Sequence, residues 1–255
     1  MEFVMNASRL SSDQVAQYER EGYTLFQQPV FAPEKFNRLR AIFEENLDKY
    51  GEEDLDRIHS RDERLLEFLL ADEVLDLVEP VVGPNIGLWS SHFISKPPFT
   101  GKATPWHEDS SYWNGRISTM EGICTIWLAL DEVDAENGAM KVIPGTHLNG
   151  FSDYEQVDAA KNIFGSQIKA ELVDESRAVT FELEPNQCSL HEARIIHGAD
   201  ANTSPRRRAG FTMRYFPLTS KINRERNQNT RFWLARGKDL TDNPLEVREA
   251  VTLQQ

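Results

Sequence analysis

The sequence predicts a mainly β protein, a sandwich or jelly-roll barrel preceded by a helix-rich part, and three observations carry that prediction. Up to about residue 84, apolar residues recur at helical spacing, whereas beyond it the apolar segments are short and β-branched or aromatic. Turn residues separate those later segments without intervening helices, the pattern of packed sheets rather than of alternating βα units. No linker, repeat or low-complexity run divides the 255 residues, so one domain is expected: 1–84 helix-rich, 85–218 the β core and 219–255 a C-terminal extension.

Each element has a local cause. Ser11, Ser12 and Asp13 can satisfy the orphan amides at a helix start, which predicts a helix to about Glu21. Tyr23–Phe26 reads as a short strand. Pro33, with its φ already helical, starts a second helix that continues through Phe43 and Leu47. Helical spacing over residues 64–70 and 72–82 ends at Gly83-Pro84. Strands are expected at residues 86–95, 123–130, 140–143, 179–183, 188–197 and 210–216. Asn137-Gly138 and Pro144-Gly145 flank one of them and read as hairpin chemistry rather than active-site chemistry.

Composition narrows the function. With 40% hydrophobic and 10% aromatic residues the chain can bury a substantial core. A formal charge of −13 would repel phosphates, so no nucleic-acid partner is expected. Cys124 and Cys188 lie in apolar segments without metal-type spacing and read as buried thiols of a reducing compartment, a structural disulfide being the alternative. Residues 1–20 lack an apolar core of signal-peptide length, and no stretch is long enough to cross a bilayer. A cytoplasmic protein without a membrane partner is therefore expected.

The chemistry concentrates in residues 105–112 and in one later histidine. In a strand, His107 and Asp109 point the same way while Trp106 and Glu108 point the other way. A histidine two residues before an aspartate is common by chance, but His197 ends another apolar run ninety positions later. Two imidazoles and a carboxylate on one face of an octahedral ion leave room for a bidentate organic acid and dioxygen, the arrangement of non-haem Fe(II) oxygenases.

Several motifs then fall in order: Ile94-Ser-Lys96-Pro-Pro, His107-Glu-Asp109, Asn137-Gly138, Ile143-Pro-Gly-Thr-His147, and His197 followed by Asn202 and Arg208. From the Glu21-Gly22-Tyr23 segment through Phe216 the sequence resembles the phytanoyl-CoA dioxygenase family. The resemblance implies a double-stranded β-helix (jelly-roll, cupin-like) core with the N-terminal helices packed on one sheet. It also implies Fe(II), O₂ and 2-oxoglutarate as cosubstrate, and hydroxylation of a small-molecule substrate with release of succinate and CO₂. By the same resemblance His107, Asp109 and His197 are the iron ligands, and Arg208 holds the distal carboxylate of 2-oxoglutarate, a task suited to a planar fork. The eleven-residue step from His197 selects Arg208 over Arg206 and Arg207. Lys96 matches a lysine that contacts the cosubstrate, and Trp127 a tryptophan lining its pocket, a packed core indole being the other reading of Trp127. Related halogenases have a small residue in place of the carboxylate, so Asp109 favours hydroxylation.

Strand parity adds two candidates. If Arg208 faces the interior, so do Gly210, Thr212 and Arg214, absent a bulge. A buried guanidinium needs an anion, so Arg214 pairs either with a substrate carboxylate or phosphate or with a structural acid. The same parity puts His191 near His197, as a substrate-site candidate or a hydrogen-bonded core histidine; His92 reads as a core histidine. Residues 150–176 and the basic stretch 221–236 are expected to flank the mouth as a lid. Family resemblance does not select the substrate. A cupin-like metalloenzyme without 2-oxoglutarate is opposed by Arg208 and Lys96, and a non-catalytic β-sandwich binding module leaves the triad unexplained.

Overall fold

Capping chemistry fixes the first helix. In the computed structural model, which describes residues 9–248, α1 (Ser12–Glu21) starts where Gln14 N donates to Ser11 Oγ and Ser11 N donates to the Gln14 side chain. It stops at Gly22 in the left-handed region, φ 81°. Residues 1–8 of the segment read above for a leader lie outside the described residues. Strand β1 (Tyr23–Phe26) follows, then α2 (Pro33–Tyr50), α3 (Leu66–Leu69) and α4 (Asp72–Val82).

The β part comprises β2 (Ile86–Lys96), β3 (Thr104–His107), the short α5 (Asp109–Trp113), β4 (Cys124–Ala129) and β5 (Met140–Val142). It continues with β6 (Tyr154–Gln156), β7 (Ser166–Ile168), β8 (Val179–Thr180), β9 (Cys188–Glu192) and β10 (His197–Ala199). The last strands are β11 (Arg208–Pro217), β12 (Phe232–Arg236) and β13 (Leu245–Glu246). A seven-stranded sheet in the order β1-β9-β4-β11-β2-β12-β13 faces a four-stranded sheet in the order β3-β10-β5-β8, and β6 pairs only with β7. This is the mainly β, jelly-roll architecture the sequence predicts, with helices on one face of the larger sheet. That face is apolar: Phe211, Met213 and Tyr215 of β11, Ile126 and Leu128 of β4, and Leu190 of β9 share one core with Leu39 and Phe43 of α2 and Leu77 and Val78 of α4. Burying each such side chain contributes roughly 1.5–3 kcal/mol. Tyr215 Oη donates to Leu69 O at 2.7 Å, which fastens the sheet to α3.

Three expectations need correction. Residues 188–197 are two strands, because Glu192 accepts from Arg194 N at 2.6 Å and from Arg194 Nε at 2.9 Å, folding a turn that carries the chain from one sheet to the other. Residues 179–183 contribute only Val179–Thr180 as strand. The basic stretch 221–236 is not all loop: Phe232 and Trp233 are buried in β12, which pairs with β2. Arg236 is held by Asp72, Asp76 and Glu79 of α4 rather than facing a ligand. Among the described residues no helix is long and apolar enough to cross a membrane. Cys124 and Cys188 are buried free thiols, and burial pushes the Cys124 thiol up to about 12.

Candidate metal centre

The turn after β9 delivers His197 to the smaller sheet, directly opposite His107 of β3 in the antiparallel register, and their ring centroids are 4.1 Å apart. Strand β3 ends at His107, but Glu108 stays extended (φ −114°, ψ 132°), so Asp109 emerges on the His107 side even though it begins α5. Glu108 points away, accepting from Ser152 N at 3.1 Å. The parity argument therefore holds although Asp109 is helical. One ligand atom from each of His107, Asp109 and His197 can be chosen so that all lie within 4.8 Å of one another, and all three residues are buried.

The protonation pattern suits a metal. His107 Nδ1 donates to Pro105 O at 2.8 Å and His197 Nδ1 to Ile195 O at 3.0 Å. A carbonyl only accepts, so each proton sits on Nδ1 and each Nε2 keeps a lone pair for coordination. Burial, reinforced by His197, pushes His107 down to about 3, so its imidazole is neutral at pH 7. Burial alone would raise the Asp109 carboxyl, but Arg214 and the neighbouring imidazoles hold it below its usual range. His191 lies behind, its centroid 5.1 Å from that of His197, close to the set without belonging to it.

A cavity of about 140 Å³ opens from the triad between the sheets, lined among others by Thr125, Trp127, His191, Arg208, Thr212 and Arg214. Arg208, 3% exposed, donates to Gly138 O from Nε at 3.1 Å and from Nη2 at 2.8 Å and meets no carboxylate; burial pushes it down to about 10. The Asn137-Gly138 turn thus supports the site, and it closes no hairpin as the sequence suggested, because β4 and β5 on either side of it belong to different sheets. Lys96 is the register partner of Arg208. Its ammonium donates to Ala199 O at 3.4 Å and also to Asp200 O, and it does not line the cavity. Burial, with Arg208 beside it, pushes Lys96 down to about 6. Trp127 does line the cavity, with the Arg208 guanidinium 5.3 Å from its ring centroid. It fits because β11 offers Gly210 diagonally across from it, where a Cβ would stand 2.1 Å from the indole. Arg208, a buried cation served only by a carbonyl, forms a seat for an anion beside the triad, which suits a dicarboxylate cosubstrate.

A second, larger chamber of about 310 Å³ adjoins the first and shares Asp109, Phe164 and Arg214 with it. Its other walls include Asp56, Arg57, Trp89, Tyr112, Trp113 and Arg116. The sequence reading passed over these residues. Phe164, within the 150–176 segment expected at the mouth, was the one retrievable signal, and its ring stands 5.1 Å from that of His107. Arg214 faces inward as parity required, because the register of β11 against β2 shifts only after it, where β2 carries Trp89 as the extra residue. Its nearest acid is Asp109, at 3.7 Å from Nε.

A jelly-roll barrel with two histidines and a carboxylate at its mouth, beside a buried unpaired arginine, defines a class of metal-dependent proteins. Within it, the chain belongs to the phytanoyl-CoA dioxygenase (PhyH) family, whose model matches residues 18–210. It is similar to the peroxisomal phytanoyl-CoA dioxygenase of Bos taurus, 33% identical over 148 residues that cover 56% of this chain and 43% of that one. It is also similar to a probable phytanoyl-CoA dioxygenase of Caenorhabditis elegans, 26% identical over 246 residues covering 84% and 78%. The chain thus spans under half the length of the bovine relative. Among solved structures the fold is similar to that of a non-heme alpha-ketoglutarate-dependent carbocyclase from nogalamycin biosynthesis, with TM-score 0.72, 23% identity and coverage of 86% and 89%. It is similar too to EctD from S. alaskensis with 2-oxoglutarate and 5-hydroxyectoine, with TM-score 0.71, 18% identity and coverage of 97% and 90%.

Proposed function

We propose that this chain is a non-haem Fe(II)- and 2-oxoglutarate-dependent dioxygenase that hydroxylates an unactivated C–H of a small-molecule metabolite. The observation that carries the reading is the convergence of His107, Asp109 and His197 on one point, beside a buried Arg208 that has no acid partner. When bound, iron(II) with 2-oxoglutarate and O₂ supplies an oxidant able to take hydrogen from carbon, with succinate and CO₂ as coproducts.

The protein's own part is orientation. His107 and His197 offer Nε2 with the opposite nitrogens locked on carbonyls. Asp109 supplies the one anionic ligand. Arg208 takes the distal carboxylate of the cosubstrate as a charge-assisted pair, and the Lys96 amine on the neighbouring strand, held down by burial and by Arg208, regains its proton as that anion arrives. Trp127 walls the pocket, and His191 and Arg214 border the space where a substrate would lie. Closing that space to water guards against unproductive turnover. The two unpaired thiols support a cytoplasmic location.

The rival without 2-oxoglutarate has no use for a buried arginine without an acid partner beside the triad, and a plain binding module has no use for the triad. Anaerobic titration of the metal-free protein with Fe(II) and then 2-oxoglutarate separates the three. A weak visible charge-transfer band is expected on the second addition. Iron binding without the band would favour the cupin-like rival, and failure to bind iron would leave the binding module.

A further inference from the structure

The outer chamber contradicts the overall charge of the chain. The protein is formally −13, yet three guanidiniums, Arg57, Arg116 and Arg214, line this one cavity. Arg57 is matched: Asp56 lies 3.3 Å from its Nε, and Thr230 Oγ1 accepts from it at 3.5 Å. Arg116 is not, and Arg214 has only a long ion pair with Asp109 among the described residues. The Arg116 side chain makes no hydrogen bond or ion pair among the described residues, while its carbonyl is fixed by Asn223 N at 2.9 Å and Asn227 Nδ2 at 2.8 Å. Arg214 is 11% exposed, and its Nε is buried without a hydrogen-bond partner. The acid paired with it is Asp109, at 3.7 Å, a metal ligand under the reading above, so a bound cation would draw off that carboxylate's charge.

A guanidinium as deeply buried as that of Arg214 without a hydrogen-bonded anion is costly, and an incoming oxyanion recovers that cost, while the half-buried Arg116 lines the same space. The rest of the wall is aromatic. Trp113 carries Arg214 over its face at 5.2 Å and packs on Trp89 at 4.7 Å, and Tyr112 meets Phe164 at 5.6 Å. A volume near 310 Å³ lies at the small end of ligand cavities, so the occupant is compact.

We propose that the outer chamber binds the substrate as a compact oxyanion, a carboxylate or phosphate monoester on an apolar or aromatic body, anchored by Arg116 and Arg214. This rests on the dioxygenase reading for the word substrate and on the arginines alone for the anion. The test is calorimetric titration of the protein, loaded anaerobically with Fe(II) and 2-oxoglutarate, with 3-phenylpropionate, phenyl phosphate and the uncharged 3-phenylpropionamide. At least one acid is expected to bind tenfold or more tightly than the amide. Arg116→Gln and Arg214→Gln should each weaken that acid at least fivefold and leave the amide unchanged, their melting curves reporting that they fold. Which acid binds better tells carboxylate from phosphate. Equal affinity for acid and amide, binding of neither acid, or full acid affinity in both variants would overturn the proposal. The charge-transfer band is read in the same samples. Its absence sinks the dioxygenase reading, while the titrations repeated without metal still decide whether the arginines bind an anion.

Discussion

Strand β11 presents two surfaces made from alternate residues of the same ten. On the helix side Ala209, Phe211, Met213 and Tyr215 are buried and interlock with α2, α3 and α4. On the other side Arg208, Thr212 and Arg214 line the cavity and Gly210 makes room for Trp127. The β11 side chains on the helix side satisfy themselves: apolar atoms meet apolar atoms, and the Tyr215 hydroxyl finds Leu69 O. The cavity side does not, since Thr125 Oγ1, His191 Nδ1 and Arg214 Nε are buried without hydrogen-bond partners. Stability is written on one face and unmet chemical demand on the other, and unmet demand is what a ligand answers.

Substitutions on the two faces should therefore separate folding from function. The largest effect is expected on the helix side. Phe211→Ala removes a fully buried ring whose centroid is 4.3 Å from that of Phe93 and should cost about 3–5 kcal/mol in denaturant unfolding. Iron binding per folded molecule should survive, and a variant that stays folded yet loses iron would show that the faces are coupled. Next comes Asp109→Ala, which removes the only anionic ligand. Iron affinity and uncoupled succinate release should fall by about two orders of magnitude or more, and undiminished turnover would remove Asp109 from the ligand set. Arg208→Ala comes third. Losing a buried charge-assisted fork should raise the 2-oxoglutarate requirement about 10–100-fold, read from the charge-transfer band, while iron still binds. An unchanged requirement would move the carboxylate clamp elsewhere. Gly210→Ala is smaller still. Its methyl would stand 2.1 Å from Trp127, so the indole must shift, at a cost of about 1–3 kcal/mol and a severalfold loss of cosubstrate affinity.

The same division explains what the sequence makes legible. The apolar face is a repeating signal, so the limits of α4 and the core of β11 can be read from spacing alone. The triad is readable because Glu108 remains extended and parity survives the helix start at Asp109. Arg214 is readable because the register shift comes after it. What escapes is whatever depends on a sheet change or on chain segments meeting from afar. The turn at residues 193–196 rests on one local pair, Glu192 with Arg194, inside a run that is otherwise apolar. The outer chamber takes Arg57, Arg116 and Phe164 from three loops with no common period, and only the folded chain brings them together. Lys96 shows a further limit, for a motif fixes its strand position but not that its ammonium turns to the carbonyls of Ala199 and Asp200.

A histidine on the stabilising side gives an effect spread over several pH units. His59 is 1% exposed and its Nδ1 lies 2.7 Å from Ser91 Oγ, on the face of β2 opposite the cavity. Burial pushes it down to about 4 from its ordinary 6.5. Between those values the unfolded chain takes up a proton that the folded chain refuses. Its contribution to stability is therefore complete above pH 6.5 and lost as the pH falls through 4. The slope is at most one proton, under about 1.4 kcal/mol per pH unit. His107 and His191, pushed down to about 3, act in the same sense in the metal-free protein. Metal bound at His107 competes with protons there and cannot reach His59. Unfolding free energies measured from pH 7 to 4 should thus fall less steeply in His59→Gln with or without metal, while added metal flattens only the cavity-side share. If His59→Gln leaves the slope unchanged, the acid sensitivity belongs to the cavity face alone.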